Sequence, residues 1–262
     1  MELKIYQVDA FASKLFSGNP AAVVIVESPL SEELMQSIAL ENNLSETAFV
    51  SIHDTPISIR WFTPLIEVDL CGHATLASAR ILFEHFPELS GNEITFTSKS
   101  GKLTVSKNKD NLCLNCPIDQ PNILEPDPLF TEILGKEPEK LLKGKDDYLA
   151  VFKTQTQIEE MQPHFQLLSE IHARGLVISA PGDDVDFVSR CFYPQAGIEE
   201  DPVTGSAHTM LTPYWAKQLK KDELSARQLS KRGGNLACRL ADDRVLISGT
   251  SVIYFAGIIS IV

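Results

Sequence analysis

The 262 residues predict an α+β fold of two similar lobes, each a curved, barrel-like sheet wrapped round a central helix. Three observations carry this reading. The chain is rich in short strand-like runs bounded by glycine, proline and asparagine turns. Two helical segments, Thr75 to Phe86 and the one opening near Ser206, have the small, apolar composition of helices buried on most sides. Finally, a strand–acidic loop–glycine–helix unit occurs twice, at Ile59–Phe83 and at Cys191–Ala216. Overlaying Gly72 on Gly205 sets Cys71 against Thr204 and His73 against Ser206, and a repeat about half a chain apart means two similar lobes.

Each element has its own local reason. Leu3–Phe11 alternates as a strand and is followed by the turn signal Ser17-Gly18-Asn19-Pro20. Ala21–Val26 is a continuous apolar run, the pattern of a buried strand. Ser31 is an N-cap with Glu32 and Glu33 in the first turn; Leu34, Met35, Ile38 and Ala39 line one helical face, and Asn42-Asn43 end it. Ile59 to Thr63 alternates, and Gly91–Cys116 holds three short strands with turns at Ser100-Gly101 and Asn108–Asp110. Pro117–Pro128 is the linker candidate, dividing the chain into lobes 1–117 and 118–262, with a terminal strand free to cross over. The second lobe reads as a helix near Asp127–Leu134, a Lys/Glu-rich turn and a strand at Tyr148–Phe152. A helix at Met161–Ile171 and strands at Gly175–Ala180 and Asp186–Tyr193 follow. After the second buried helix come four strands, at Arg227–Lys231, Asn235–Leu240, Val245–Ser248 and Ser251–Ile261.

Composition narrows the function. The net charge of −12, with both signs mixed along the chain, argues against a nucleic-acid groove or an anionic membrane surface. No apolar run is long enough to span a bilayer, and Glu2 and Lys4 interrupt any secretory h-region. Five irregularly spaced cysteines suit a reducing cytoplasm. Cys113-x-x-Cys116 has no second Cys or His pair at zinc spacing and lies within a strand, so it reads as packing. No glycine-rich nucleotide loop and no metal-ligand spacing is found.

The chemistry concentrates around the two repeats. Glu46 is a lone carboxylate at a helix-to-strand junction, among residues that belong inside. It is either a surface glutamate at a strand start or an acid/base group, because a buried carboxylate without a partner is costly. Cys71 precedes a helix N-terminus, a position that lowers a thiol's pKa and marks a possible nucleophile. A two-thiol racemase is excluded, since the matching place in the other repeat holds Thr204. Glu46, His73, Asp201, Ser206 and His208 remain. A glutamate and a histidine are the usual tools for moving protons. Asp201 is placed to orient His73 or hold a substrate amine, Ser206 with nearby N–H groups to hold a carboxylate, and His208 reads equally as a core or capping histidine. The glycines of Arg232-Gly233-Gly234 make a tight turn that lets backbone approach a ligand.

The pieces Ser17–Val23 (SGNPAAV), Leu44–Phe49 (LSETAF), Cys71–Thr75 (CGHAT) and Glu200–His208 (EDPVTGSAH) together resemble the PhzF family, a branch of the diaminopimelate-epimerase-like superfamily. The resemblance spans the chain, in order. It implies the two-lobed fold, an active site in the cleft between lobes, a homodimer, and cofactor-free isomerisation of a small carboxylate-bearing substrate. It further implies that Glu46 shuttles the proton with His73 and Asp201 as the other catalytic residues. Asn19, Cys71, Gly72, Gly205, Ser206 and Gly233 are the substrate-binding set. No metal or cofactor enters. The competing readings are a catalytically silent small-molecule binding protein of the same fold, and a thiol enzyme built on Cys71.

Overall fold

The computed structural model describes residues 1–261. They fold as two compact units: Met1–Asn115 together with the chain from Ser248, and Cys116–Ile247. The first boundary thus falls two residues before the expected one, and the terminal strand belongs to the first unit. Among the described residues, no helix is long and apolar enough to cross a membrane.

The first unit contains β1 (Glu2–Ala10), β2 (Asn19–Val26), α1 (Glu32–Asn42), β3 (Glu46–Ser51), β4 (Ser58–Phe62), β5 (Glu67–Val68), α2 (Gly72–His85), β6 (Glu93–Ser98), β7 (Gly101–Asn108) and β8 (Asn111–Pro117). The last strand, Ser251–Ser260, lies antiparallel to β1. β1 and β2 pair antiparallel, β2 and β3 parallel, β3 and β4 antiparallel, and β4 pairs with both β5 and β6. α2 touches β1, β2, β3, β7 and the terminal strand, so strands surround it. Its residues from Gly72 to Phe83 are buried except Arg80. Buried hydroxyls on such a helix need partners, and Thr75 and Ser78 donate to the carbonyls of Cys71 and Ala74, four residues back. On the other face of the sheet α1 packs Met35, Ile38 and Ala39 against Leu3, Ala22, Val24 and Phe49. With both faces covered, β2 reads as an unbroken apolar run rather than an alternating one.

The second unit contains β9 (Asn122–Leu124), α3 (Pro128–Leu134), β10 (Lys140–Lys143), β11 (Asp147–Val151), α4 (Gln155–Glu159), α5 (Phe165–Leu168), β12 (Gly175–Pro181), β13 (Phe187–Tyr193), β14 (Ile198–Asp201), α6 (His208–Leu219), β15 (Glu223–Gln228), β16 (Gly234–Ala241) and β17 (Arg244–Gly249). α6 is its central helix. Trp215 donates to Ser179 on β12 at 2.9 Å and stacks on Phe187 of β13. Pro213 lies inside this helix and removes the donor for the Thr209 carbonyl; the Asp119 amide supplies a substitute at 3.1 Å.

Several local expectations are corrected here. The Lys/Glu-rich turn contains β10, and β15 begins at Glu223, four residues early. The helix expected over Met161–Ile171 is replaced by α4 and α5, with Pro163 between them. The acidic loop is strand β14, and α6 begins at His208 after a turn over Gly205–Ala207 rather than at Ser206.

The repeat is written into the strand pairings. In the second unit β10 and β11 pair antiparallel, β11 and β12 parallel, β12 and β13 antiparallel, and β13 pairs with both β14 and β15. This is the order of β1 to β6. Matching the registers sets Phe62 on Phe192, Glu46 on Gly175 and Val68 on Asp201, and counting on from the last pair sets Gly72 on Gly205. Even an ion-pair clamp is duplicated. Arg60 grips Glu67 with two hydrogen bonds and covers the Phe62 ring, and Arg190 does the same with Glu200 and Phe192.

Candidate active site

In the first unit, the starts of β2, β3 and α2 converge. Glu46 opens β3, and its Oε2 lies 3.2 Å from Nε2 of His73, the second residue of α2. The contact is an ion pair without hydrogen-bond alignment, so neither atom has a hydrogen-bond partner. His73 is buried, and the Glu46 side chain is only 14 % exposed. Nδ1 of His73 is flanked by the Asn19 amide at 3.2 Å and the Cys71 sulfur at 3.5 Å. A neutral ring accepts from the amide there; a charged ring donates, to the amide oxygen or the sulfur.

Burial works against charge on His73, but the anionic forms of Cys71 and Glu46 outweigh it and raise its pKa well above the ordinary value. Cys71 itself is driven upward, first by burial and then by the Glu46 carboxylate. It is therefore a thiol at neutral pH, which leaves the Glu46 carboxylate as the charge that opposes burial at His73. This overturns the expectation of an activated Cys71: the helix N-terminus is there, but desolvation outweighs it. Glu46 is equally not the unpartnered carboxylate its flanking sequence suggested. The donor atoms of Glu46, Cys71 and His73 lie within 4.8 Å of one another, a grouping that no sequence spacing shows. Holding a cation there would cost the Cys71 proton and the His73–Glu46 pair.

The second unit has its own polar cluster. Asp201 ends β14 and accepts from the Thr204 hydroxyl. Gln228, fully buried, ties this turn down: it accepts from the Thr204 amide at 2.8 Å and donates to the Asp201 carbonyl at 2.7 Å. Ser206 accepts from Arg174 Nη1 at 3.1 Å. Arg174 in turn grips the buried Asp147 through Nε and Nη2, and lies over the Tyr193 ring. Burial opposes charge on Arg174, yet Tyr193 and Asp147 raise its pKa further. Burial also raises Tyr193 well above its ordinary value, so it is a neutral phenol and Asp147 is the operative partner. Gly175 makes the packing possible, since a Cβ there would come within 2.2 Å of the Tyr193 ring.

His208 belongs to the core. Burial lowers its pKa to about 4, and its Nδ1–H donates to the Thr204 carbonyl at 2.8 Å. Gly233 adopts φ +64°, and a Cβ there would make only ordinary contacts with the carbonyls of Gln228 and Ser230, so the turn's backbone conformation is what favours glycine there. Gly72 and Gly205 are buried, each one residue before His73 or Ser206. α1, α3 and α4 are capped by the side chains of Ser31, Asp127 and Thr154, whereas no side chain caps α2 or α6. Uncapped helix starts suit anionic groups. Cys113 and Cys116 point to opposite faces of β8, one half-buried and one buried, as packing residues.

The structure thus gathers Asn19, Glu46, Cys71, Gly72 and His73 in one unit and Asp201, Gly205 and Ser206 in the other. Arg174, Asp147, Tyr193 and Gln228 escaped sequence reasoning. Asp147 lies just before the strand expected at Tyr148, and the match of Glu46 to Gly175, beside Arg174, comes from the strand registers and not from the repeat read in the sequence.

This architecture is that of the epimerase-like class. A hydroxyproline epimerase from Agrobacterium vitis superposes with TM-score 0.67 at 11 % identity, covering 98 % of this chain and 92 % of that one, which shows the shared fold. Nearer relatives define the family. The family model for phenazine biosynthesis-like proteins matches residues 8–257. A Pseudomonas aeruginosa protein named an uncharacterized isomerase is 46 % identical over 257 residues, 98 % of each chain. The crystal structure of a PhzF-family protein from Enterococcus faecalis has TM-score 0.95 and 43 % identity with full coverage of both chains. The chain belongs to the PhzF family.

Proposed function

We propose that the chain is a cofactor-independent isomerase of a small, carboxylate-bearing substrate, with Glu46 as the proton shuttle. The observation that carries the reading is the enclosed Glu46–His73 pair, with an Oε2 that no hydrogen bond occupies. The isomerase names of its relatives support the class. In the proposed step the Glu46 carboxylate takes a proton from a substrate carbon. The electron pair left behind delocalises into the substrate, and the resulting carboxylic acid returns the proton to a different carbon. His73 holds Glu46 in place through the 3.2 Å ion pair and balances its charge when ionised. Asp201, Ser206 and the backbone at Gly72 and Gly205 are assigned to substrate binding. Enclosure keeps bulk water from exchanging the proton during transfer. The homodimer implied by the family is part of the same proposal.

The test is proton exchange in deuterated water, followed by NMR over a panel of cyclic and acyclic amino and hydroxy carboxylates. Deuterium should enter or move on one substrate class, and Glu46→Gln should reduce the rate by at least about a hundredfold, the low end of what one positioned acid/base contributes. Undiminished exchange in Glu46→Gln overturns the reading. Binding without exchange by the unmodified protein would favour the silent binding protein.

A further inference from the structure

The strand registers place Glu46 on Gly175 and Val68 on Asp201, and counting on from the latter pair places His73 on Ser206. In the first unit the residue opening the third strand reaches the residue after the glycine: Glu46 to His73, at 3.2 Å. In the second unit the same connection is made one position earlier, from Arg174 to Ser206, at 3.1 Å. The repeat has kept the junction and exchanged its chemistry, from a carboxylate facing an imidazole to a guanidinium facing a hydroxyl.

That exchange fixes the direction of hydrogen bonding. A guanidinium only donates, so the Ser206 oxygen accepts from Arg174 and its own hydrogen is directed elsewhere. Arg174 is held for this task. Asp147, 3 % exposed, takes its Nε and Nη2, and Tyr193 lies under the guanidinium plane. These bonds use three of its five N–H groups, and the side chain is 36 % exposed. Two N–H groups on a half-open guanidinium therefore stand next to a hydroxyl whose hydrogen is directed away from Arg174. Two neighbouring donors about 3 Å apart match the two oxygens of a carboxylate. A neutral carboxamide brings one acceptor oxygen instead of two and no charge to pair with the guanidinium.

We propose that Arg174 is a positioning and specificity residue, which fixes Ser206 as a hydrogen-bond donor and with it selects a carboxylate over its neutral carboxamide. The proposal rests on the assignment of Ser206 to substrate binding; it does not depend on Glu46 performing the chemistry. Asp147 and Tyr193 act through Arg174, by holding the fork in register.

The test uses the full chain and two matched probes, 4-fluorobenzoate and 4-fluorobenzamide, with the fluorine line width reporting binding. The unmodified protein should broaden the benzoate and not the benzamide. Arg174→Lys keeps the charge and a partner for Asp147 but loses the fork, so it should fold normally and bind benzoate about tenfold more weakly. Ser206→Ala should lose as much, and the Arg174→Lys/Ser206→Ala double variant no more than either alone, because the pair acts as one unit. An Asp147→Asn/Arg174→Gln variant removes both charges together, avoiding a buried unpaired carboxylate, and should behave like Arg174→Lys. Equal binding of both probes, binding of neither, additive losses, or unchanged benzoate binding in Arg174→Lys overturns the proposal. A protein in which Glu46→Gln still exchanges protons while Arg174→Lys loses benzoate would sink the isomerase reading and leave this one standing.

Discussion

His73 is enclosed, yet it is held protonated, and that tension locates the control of the first-unit cluster in one neighbour. Burial alone pushes an imidazole towards neutrality; the Cys71 sulfur and the Glu46 carboxylate oppose it, and with Cys71 a thiol the carboxylate is the charge left to do so. A folded-state pKa above the unfolded one means that the pair's contribution to stability is fully present below about pH 6.5. It is then lost as pH rises through the higher folded value. An NMR titration of the His73 ring should therefore show a midpoint well above the ordinary range. In Glu46→Gln that midpoint should fall, because burial then acts without the carboxylate. A midpoint that does not move would show that Glu46 is not the controlling charge. At this scale the sequence marked residues that can carry chemistry but not their partners. Glu46, His73 and Cys71 were legible as chemistry-bearing positions. That Glu46 meets His73, and that burial keeps Cys71 a thiol, depends on contacts between residues 25 or more apart in the chain.

Helices α2 and α6 were legible as elements because a helix surrounded by strands carries small and apolar residues all round. Their interior is also where substitution should cost most. Leu76 is fully buried in α2, and Leu76→Ala should destabilise the fold by about 2–5 kcal/mol in denaturant unfolding, the usual penalty for a core cavity. α6 adds a pH dependence of opposite sign to that of His73. His208 stays neutral in the fold down to about pH 4, whereas the unfolded chain binds a proton near pH 6.5. Its contribution is present above about pH 6.5 and drains away as pH falls towards 4. In His208→Asn, which keeps a donor for the Thr204 carbonyl, the loss of stability across that acidic window should be smaller. An unchanged acid limb would place the sensitivity in the carboxylates instead. The elements that misled the sequence reading were short ones. β14 carries two glutamates and an aspartate and is a strand only because β13 pairs with it. β10 has lysine at both ends, and α4 and α5 are too short to show a helical period.

On the scale of the whole molecule, the duplicated strand order and the paired Arg60–Glu67 and Arg190–Glu200 clamps show one design used twice, with different residues at corresponding positions. The repeat was visible in the sequence at Gly72 and Gly205. The terminal strand was left free to cross over, and its pairing with β1, at the far end of the chain, is what assigns it to the first unit. That strand also bears on assembly. Tyr254, Phe255 and Ile258 on it are exposed, and Tyr254 meets Phe16, 69 % exposed, edge to face at 5.7 Å. Large apolar groups left in water are characteristic of surfaces that another molecule covers. If the proposed homodimer uses this face, sedimentation equilibrium should return twice the chain mass for the unmodified protein. Phe16→Asp/Tyr254→Asp should return the single-chain mass with the same far-ultraviolet circular dichroism, because both side chains project into solvent and contribute little to the unit beneath. A double variant that stays dimeric would move the interface elsewhere, and an unmodified protein that sediments as a monomer would remove the dimer from the proposal.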